Sequence, residues 1–226
     1  MRTIGESIQV WVVSLIGQTP ESWRHLLSVN EWEKAMRFRF PADQARSAVT
    51  RGVLRTLLSR YLNRPAGDLD FNENDHGKPA IAGIEFNVSH SGDYSLLAFS
   101  HESPIGVDVE HIRDRKVIHD LARRVLTPDE YERFNSVPDA DRQRVFYEIW
   151  TLKESLLKAI GSGLSVAPES LEIAFYPDEP KLLSAQTNLI KDVADWSLHG
   201  LDIGDTAYTA AITVRETHPT IQLNHF

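Results

Sequence analysis

Two acidic side chains, Asp108 and Glu110, are the first residues whose types and spacing suggest chemistry. They alternate with apolar residues in a segment that we predict to be a strand from Ile105 to Ile112, so both carboxylates project from one face. Like charges this close repel each other unless a cation or protons compensate them. Carboxylates suit Mg²⁺, which completes its coordination with water and substrate phosphates. The alternative is a solvated strand face.

A second pair of charged residues lies on a long predicted helix, Asp139 to Ile160. Within its segment W-T-L-K-E-S-L-L-K, Glu154 and Lys158 are one helical turn apart, with the acid on the N-terminal side. This is the favourable order for an ordinary surface ion pair, which is the alternative to a functional role. Lys153 points to a different face of the helix.

Glu130 has two interpretations. The segment Thr127-Pro128-Asp129-Glu130 has the form of a helix start, with Thr127 as N-cap, proline at the first position and glutamate at the third. Glu130 then completes a capping box. The alternative is a catalytic base, and one carboxylate can serve both purposes only if it stays accessible.

Ser89 and His90 lie in F-N-V-S-H-S-G, a predicted strand end followed by a polar turn. Adjacent residues of an extended segment point apart and no G-x-S-x-G segment is present, so a hydrolase triad is not indicated. The histidine is better placed to hydrogen-bond a ligand phosphate or to cap the turn. The sequence contains no P-loop and no G-x-G-x-x-G, so any phosphate binds without those motifs.

Basic residues are concentrated in one part of an acidic chain. The 226 residues carry a formal net charge of −8, which argues against general nucleic-acid binding. Residues 31–64 nevertheless hold eight basic and three acidic side chains, a net charge of +5, so the remainder is −13. A local basic patch on an acidic protein suggests a small polyanion such as a nucleotide phosphate.

The predicted elements indicate an α+β fold built from two related halves. Each half has an initial strand, a long helix and a run of later strands, and the first long helix spans Asp43 to Leu62. Residues 216–226 are expected to be frayed or lightly docked. The chain has no cysteine and no apolar stretch of about 18 residues, which suits a cytoplasmic protein without a membrane span.

Four sequence blocks carry a resemblance to a known family. They are G-K-P at 77–79, F-N-V-S-H-S-G at 86–92, G-V-D-V-E at 106–110 and F-Y-E-I-W-T-L-K-E-S-L-L-K-A-I-G-S-G-L at 146–164. In this order and with these separations, they strongly resemble the 4′-phosphopantetheinyl transferases of the Sfp-like type. The basic segment before them and the strands after them extend the resemblance to nearly the whole chain.

The resemblance implies a pseudo-symmetric α+β monomer of two halves, residues 1–105 and 106–226, with coenzyme A and Mg²⁺ or Mn²⁺ in the cleft between them. The implied metal ligands are Asp108, Glu110 and Glu154. The implied coenzyme-contacting residues are Lys34, Arg37, Arg46, Lys78, Ser89, His90 and Lys158. Among these, Lys158 would face the pyrophosphate. The implied catalytic residues are Glu154, Lys158 and Glu130, the last as the base that takes the proton of the nucleophile.

The implied activity moves 4′-phosphopantetheine from coenzyme A to a serine of an apo carrier protein and releases 3′,5′-ADP. Its main demand is neutralisation of charge on the pyrophosphate as the bond breaks. Two alternatives remain, a Mg²⁺-dependent pyrophosphohydrolase using the same carboxylates and a noncatalytic coenzyme A-binding module. We expect neither nucleic acid nor membrane as a partner, and the sequence does not identify the carrier protein.

Overall fold

The computed structural model describes residues 7–73, 78–113 and 118–226. Its helices are α1 (Val29–Met36), α2 (Pro41–Leu62), α3 (Ile118–Val125), α4 (Pro128–Ser136) and α5 (Asp139–Ile160). Its strands are β1 (Ile8–Ser14), β2 (Asn72–Glu73), β3 (Pro79–Ala80), β4 (Glu85–Ser91), β5 (Tyr94–Ser100), β6 (Ile105–His111), β7 (Leu171–Ala174), β8 (Lys181–Ala185), β9 (Ser197–Gly200), β10 (Tyr208–Val214) and β11 (Ile221–His225). Gly77, which opens the G-K-P block, lies outside the described residues. Within the described ranges, no helix is long and apolar enough to cross a bilayer.

The first sheet has the strand order β11–β1–β5–β4. Strand β5 runs antiparallel to β1 and β4, whereas β11 runs parallel to β1. Helix α2 packs on this sheet because its apolar side chains recur at helical spacing, and Val53 and Leu57 share one core cluster with Leu97 and Phe99 of β5. The predicted helix from Asp43 to Leu62 is therefore confirmed, with two further residues at its start.

The second sheet has the antiparallel order β6–β10–β9 and is covered by α5. Leu152 and Leu156 of the helix share a core cluster with residues of β9 and β10. The helix lies close against β6 at Gly106, where an added Cβ would lie only 2.0 Å from the backbone oxygen of Ser155. Gly161, with a φ of 68°, ends α5 in the left-handed conformation that glycine favours.

The two halves follow the same chain order. In the first, β1 leads into the 22-residue helix α2 and then into β4 and β5, with β5 between its two partners. In the second, β6 leads into the 22-residue helix α5 and then into β9 and β10, with β10 between its partners. The predicted α+β fold of two related halves is thus confirmed.

The C-terminal strand departs from this plan. The expectation that residues 216–226 are frayed or lightly docked is wrong for residues 221–225, because β11 pairs with β1 over five residue pairs. Phe226 adds a backbone hydrogen bond to the carbonyl of Val12 at 3.0 Å. Since this strand belongs to the first sheet, a division of the chain between residues 105 and 106 remains a prediction.

Strands β4 and β6 meet where the halves join, and side chains rather than a backbone ladder connect them. Alternate residues of β4 project toward β6 because successive side chains of a strand point to opposite faces. Their oxygens accept hydrogen bonds of 2.9, 3.4 and 3.1 Å from backbone N–H groups, pairing Asn87 with Val107, Ser89 with Val109 and Ser91 with His111. We call these three contacts the polar seam.

Candidate active site

Asp108, on β6, is buried and has two hydrogen-bond donors on one carboxylate oxygen. Its Oδ1 atom accepts from Ser89 Oγ at 2.7 Å and from Lys158 Nζ at 2.6 Å. Its Oδ2 atom has no hydrogen-bond partner among the described residues. Burial of a carboxylate is costly unless partners compensate its charge, and Lys158 and Ser89 are those partners here.

Glu110, two residues further along β6, is held through both carboxylate oxygens. Its Oε2 atom accepts a hydrogen bond from Ser91 Oγ at 2.9 Å, and its Oε1 atom accepts from Trp150 Nε1 at 3.4 Å. Ser91 and Trp150 have no role in the sequence-based prediction. The available signal for Ser91 was the alternation N-x-S-x-S along β4, which places its side chain on the same strand face as Ser89.

Lys158, on α5, is turned toward the polar seam. Among the ion pairs of the described ranges, it pairs with Asp108 and not with Glu154, and its ammonium also donates to Ser89 Oγ at 2.9 Å. The alternative of an ordinary surface pair between Glu154 and Lys158 is therefore wrong. Glu154 is partly buried, and burial followed by the nearby Asp108 carboxylate raises its pKa above the ordinary value, although Lys158 acts in the opposite direction.

The predicted metal ligands line one cavity of about 240 Å³ between the halves. The residues around it, from β4, β6 and α5, are Val88, Ser89, His90, Asp108, Glu110, Trp150, Glu154 and Lys158. A larger cavity of about 620 Å³ adjoins it and shares Val88, Trp150, Glu154 and Lys158. Apolar side chains such as Phe86 and Leu157 line much of the larger space.

The three acids of the smaller cavity have the chemistry that a hard divalent cation requires. Oxygen ligands suit Mg²⁺, and Asp108 Oδ2 is a buried oxygen that lacks a hydrogen-bond partner in the described part of the chain. As the side chains stand, however, no three His, Asp or Glu side chains of the described ranges form a metal-binding group. Closing the acids on a cation therefore requires a change of side-chain conformation, and Glu154 is the acid that neither Ser89 nor Ser91 holds.

His90 lines the smaller cavity, and Arg46 lies close enough to influence its charge. Arg46, on α2, donates from Nε and Nη2 to the carbonyl of Gly92 at 3.3 and 3.2 Å, which attaches the helix to the turn between β4 and β5. The pKa of His90 lies below its ordinary value, first because the ring is partly withdrawn from water and then because Arg46 and Lys158 are positively charged. Two predicted coenzyme-contacting residues thus lie together.

Lys78 lines the larger cavity and is anchored between the two halves. Its ammonium donates to the carbonyl oxygens of Ile105 and Lys158, at 3.2 Å each, and burial lowers its pKa. One bond reaches the C-terminal end of α5, where a positive charge is favourable. Its contact with coenzyme A remains a prediction.

Lys34 and Arg37 are exposed, on α1 and at its C-terminal cap, and neither lines the two cavities. Helix α1 is fixed by Glu31, which completes a capping box with Ser28 and pairs with Arg55 at 2.8 Å. The Glu31–Arg55 pair therefore attaches α1 to α2 without bringing Lys34 and Arg37 to the acids. Their contact with adenosine phosphates remains a prediction.

Glu130 forms the predicted capping box at the start of α4. Its Oε2 atom accepts from the Thr127 N–H at 2.8 Å, and the Thr127 hydroxyl accepts from the Glu130 N–H at 3.2 Å. The carboxylate, 1% exposed, also pairs with Lys153 at 2.5 Å and accepts from the Ile173 N–H. A base must reach the proton that it removes, so this burial contradicts the predicted role of Glu130 as catalytic base.

Comparison with known proteins agrees with the sequence blocks. The family model of the 4′-phosphopantetheinyl transferase superfamily matches residues 104–213, and that of the 4′-phosphopantetheinyl transferase N-terminal region matches residues 18–102. The 4′-phosphopantetheinyl transferase HetI of Nostoc sp. is 35% identical over 222 residues, covering 93% of this chain and 89% of HetI. The 4′-phosphopantetheinyl transferase Sfp of Bacillus subtilis is 29% identical over 161 residues, covering 70% of each chain.

Among solved structures, the holo-[acyl-carrier-protein] synthase of Thermotoga maritima is similar with a TM-score of 0.40 and 21% identity, covering 52% of this chain and 66% of that one. The sequence relationship to HetI spans nearly the full length of both proteins. The chain therefore belongs to the 4′-phosphopantetheinyl transferase superfamily.

Proposed function

We propose that this protein transfers the 4′-phosphopantetheine group of coenzyme A to a serine of an apo carrier protein and releases 3′,5′-ADP. The observation that carries the proposal is the shared cavity between the halves, where Asp108, Glu110 and Glu154 lie beside Lys158 and His90. Acids for a cation and basic groups for a pyrophosphate are what this reaction needs.

We further propose that Asp108, Glu110 and Glu154 hold Mg²⁺ or Mn²⁺. When bound, the ion would neutralise charge on the pyrophosphate. Lys158, whose side chain is 29% exposed and already reaches the cavity, would donate to a phosphate oxygen as negative charge develops on the leaving bisphosphate. Arg46, His90 and Lys78 would bind the coenzyme near the cavities, with Lys34 and Arg37 on its adenosine phosphates.

The reaction balances without a covalent enzyme intermediate. The serine oxygen of the carrier attacks the β-phosphorus, the bond from phosphorus to the bridging oxygen breaks, and that oxygen leaves with 3′,5′-ADP. The serine proton needs an acceptor, and we assign it to Glu154 because Glu130 is buried. A base must lie within reach of the proton that it accepts, and Glu154 lines the smaller cavity.

Intact-mass measurement of an added apo carrier protein tests the function. With coenzyme A and Mg²⁺, the carrier should gain the mass of one phosphopantetheine group, and a carrier whose acceptor serine is replaced by alanine should not. Cleavage of coenzyme A without carrier modification would favour the pyrophosphohydrolase alternative. Binding without any turnover would favour the noncatalytic module, although the relatives named as transferases favour neither.

The protein is also proposed to act as a monomer in the cytoplasm. Absence of cysteine suits a reducing compartment. Light scattering during gel filtration, with and without a carrier protein, checks the monomer.

A further inference from the structure

Ser91 makes two hydrogen bonds that the proposed function does not use. Its hydroxyl accepts from the backbone N–H of His111 at 3.1 Å and donates to Glu110 Oε2 at 2.9 Å. The hydroxyl therefore links a strand of the first half to an acidic side chain of the second half. Because a hydroxyl has one donor and two acceptor sites, both bonds can form together.

The same arrangement occurs two residues earlier on β4. The Ser89 hydroxyl accepts from the Val109 N–H at 3.4 Å and donates to Asp108 Oδ1 at 2.7 Å. The repeat follows from strand geometry, since positions two apart share a face on both β4 and β6. Each serine of the polar seam thus fixes the orientation of one acid in the cavity.

We propose that Ser91 is a positioning residue for Glu110, orienting its carboxylate to receive a divalent cation. The inference rests on the proposed function, in which Glu110 is a metal ligand. Ser91 and Trp150 each occupy one lone-pair direction of the carboxylate, one on each oxygen, which leaves the remaining directions available. Residues that orient a metal ligand in this way typically change metal affinity by about 10–100-fold.

A purely structural role for Ser91 makes a different prediction. If the hydroxyl only holds β4 against β6 through the His111 N–H, its loss should lower stability and weaken all ligands alike. If it orients Glu110, its loss should weaken the cation selectively and leave cation-free coenzyme A binding unchanged. Measuring the affinity of the Ser91 variants for the cation and for cation-free coenzyme A separates the two roles.

The test uses Mn²⁺ alone as the probe, titrated into the intact protein and followed by electron paramagnetic resonance. Ser91→Ala should raise the Kd for Mn²⁺ by about 10-fold or more. Ser91→Thr, which keeps the hydroxyl, should remain near the parent value. Ser184→Ala is the matched control, because Ser184 donates to Glu172 at the same 2.9 Å on an exposed hairpin away from the cavity.

A second measurement separates positioning from indirect damage. In a Glu110→Ala background, removing the Ser91 hydroxyl should cause no further loss of Mn²⁺ affinity, because its target is already absent. If Ser91→Ala does not fold, Ser91→Cys keeps the volume with a weaker donor, and its Kd should also rise.

Three outcomes would overturn the inference. They are a parent-like Mn²⁺ Kd in Ser91→Ala or in a folded Ser91→Cys, an equal loss of cation-free coenzyme A affinity, and a further loss in the Glu110→Ala background. A parent-like Kd in Glu110→Ala itself would remove the ligand assignment and the inference together. The proposed transfer activity would still stand or fall separately on the carrier mass shift.

Discussion

At the scale of single residues, the ammonium group of Lys158 has two partners that compete for it, Asp108 and the pyrophosphate of the proposed reaction. In the structure it compensates the buried carboxylate of Asp108, and in the proposed reaction it also faces the pyrophosphate. A cation beside Asp108 would compensate the carboxylate in place of Lys158. The resting contact with Asp108 thus keeps the buried acid compensated until a cation and coenzyme are present.

Lys158→Ala should therefore lower the transfer rate and make the free energy of unfolding depend on Mg²⁺. Turnover is expected to fall about a hundredfold, the usual effect of losing one contact to transition-state charge, and extra Mg²⁺ should not restore it. Without a divalent cation, the free energy of unfolding should fall by about 1–3 kcal/mol, because Asp108 loses its charged partner. Added Mg²⁺ should recover that stability.

Steady-state transfer rates and urea unfolding with chelator or Mg²⁺ check this expectation. Lys181→Ala, at an exposed position on β8, is the control and should match the parent in both assays. A parent-like rate for Lys158→Ala would remove Lys158 from the site.

His90 provides a pH-dependent prediction. Its pKa is lowered in the free protein, and a bound phosphate would favour the imidazolium and raise it. Coenzyme A binding should therefore take up a proton, and affinity should increase as the pH falls from about 8 to about 6. Calorimetry in buffers of different ionisation enthalpy measures the uptake. His90→Gln should abolish it, and unchanged uptake in this variant would place the titrating group elsewhere.

The residues of the site were predictable where a motif places charge on one face, and not where partners come from distant elements. Asp108 and Glu110 follow from alternation in β6, and the Glu130 cap follows from T-P-D-E. The pairing of Lys158 with Asp108 and of Glu110 with Ser91 joins segments that are 50 and 19 residues apart in sequence. No local pattern identifies such partners.

At the scale of elements, a buried ion pair joins α4 to α5. Lys153, fully buried on α5, donates to Glu130, to the carbonyl of Val125 at the end of α3 and to that of Pro168 at 3.1 Å. One ammonium therefore connects three helices and the segment before β7. Pro168 also lines the larger cavity, so this pair supports one wall of the site.

Glu130→Gln tests the pair against the catalytic-base alternative. The amide keeps the shape but leaves the buried Lys153 ammonium without a counter-charge, so the free energy of unfolding should fall by about 3–5 kcal/mol. Turnover per folded molecule should stay within a few-fold of the parent. Glu132→Gln, an exposed neighbour on α4, should change neither property.

Denaturant unfolding and transfer rates corrected for the folded fraction provide the measurements. Loss of turnover by orders of magnitude in a Glu130→Gln protein that remains folded would restore the base assignment.

Strand β11 shows an element that sequence reasoning missed. Its residues are mostly exposed, so hydrophobic alternation is weak, and its ladder partner β1 lies at the other end of the chain. The strand is fixed by that ladder and by Phe226, whose ring lies 6.2 Å from Trp11 and 6.0 Å from Trp23. Long-range pairing decides its structure, and local propensity does not.

Deletion of residues 221–226 should accordingly destabilise the first half. The deletion removes the parallel ladder and uncovers β1 and the two tryptophans, so unfolding should occur at lower urea concentration than in the parent. Phe226→Ala removes only the ring contacts and should cost about 1–2 kcal/mol, less than a fully buried phenylalanine. Parent-like unfolding of the deletion variant would show that β11 contributes nothing to stability.

At the scale of the whole molecule, the duplicated plan explains where the site lies. Each half supplies a strand to the polar seam, β4 from the first and β6 from the second, and the cavity opens beside it. The related order of elements was predictable from the spacing of strands and helices. The seam was not, because it depends on which edges of the two sheets meet.

This position predicts that cation and coenzyme binding are coupled. The proposed cation ligands Asp108, Glu110 and Glu154 belong to the second half, whereas Arg46 and His90 belong to the first, so a pyrophosphate between them would contact both groups. Chelation of divalent ions should abolish transfer and weaken coenzyme A binding. By linkage, coenzyme A must strengthen Mn²⁺ binding by the same factor.

Calorimetry measures both affinities. Coenzyme A is titrated with and without Mn²⁺, and Mn²⁺ is titrated with and without coenzyme A. Asp108→Asn should remove the coupling, because it takes away a charged oxygen at the proposed cation site, while cation-free coenzyme A binding should remain. Transfer that survives thorough chelation would contradict the metal assignment. Equal coenzyme A affinity with and without Mn²⁺ would instead mean that the cation, if bound, does not touch the pyrophosphate, because a bridging ion must change the affinity of the ligand it bridges.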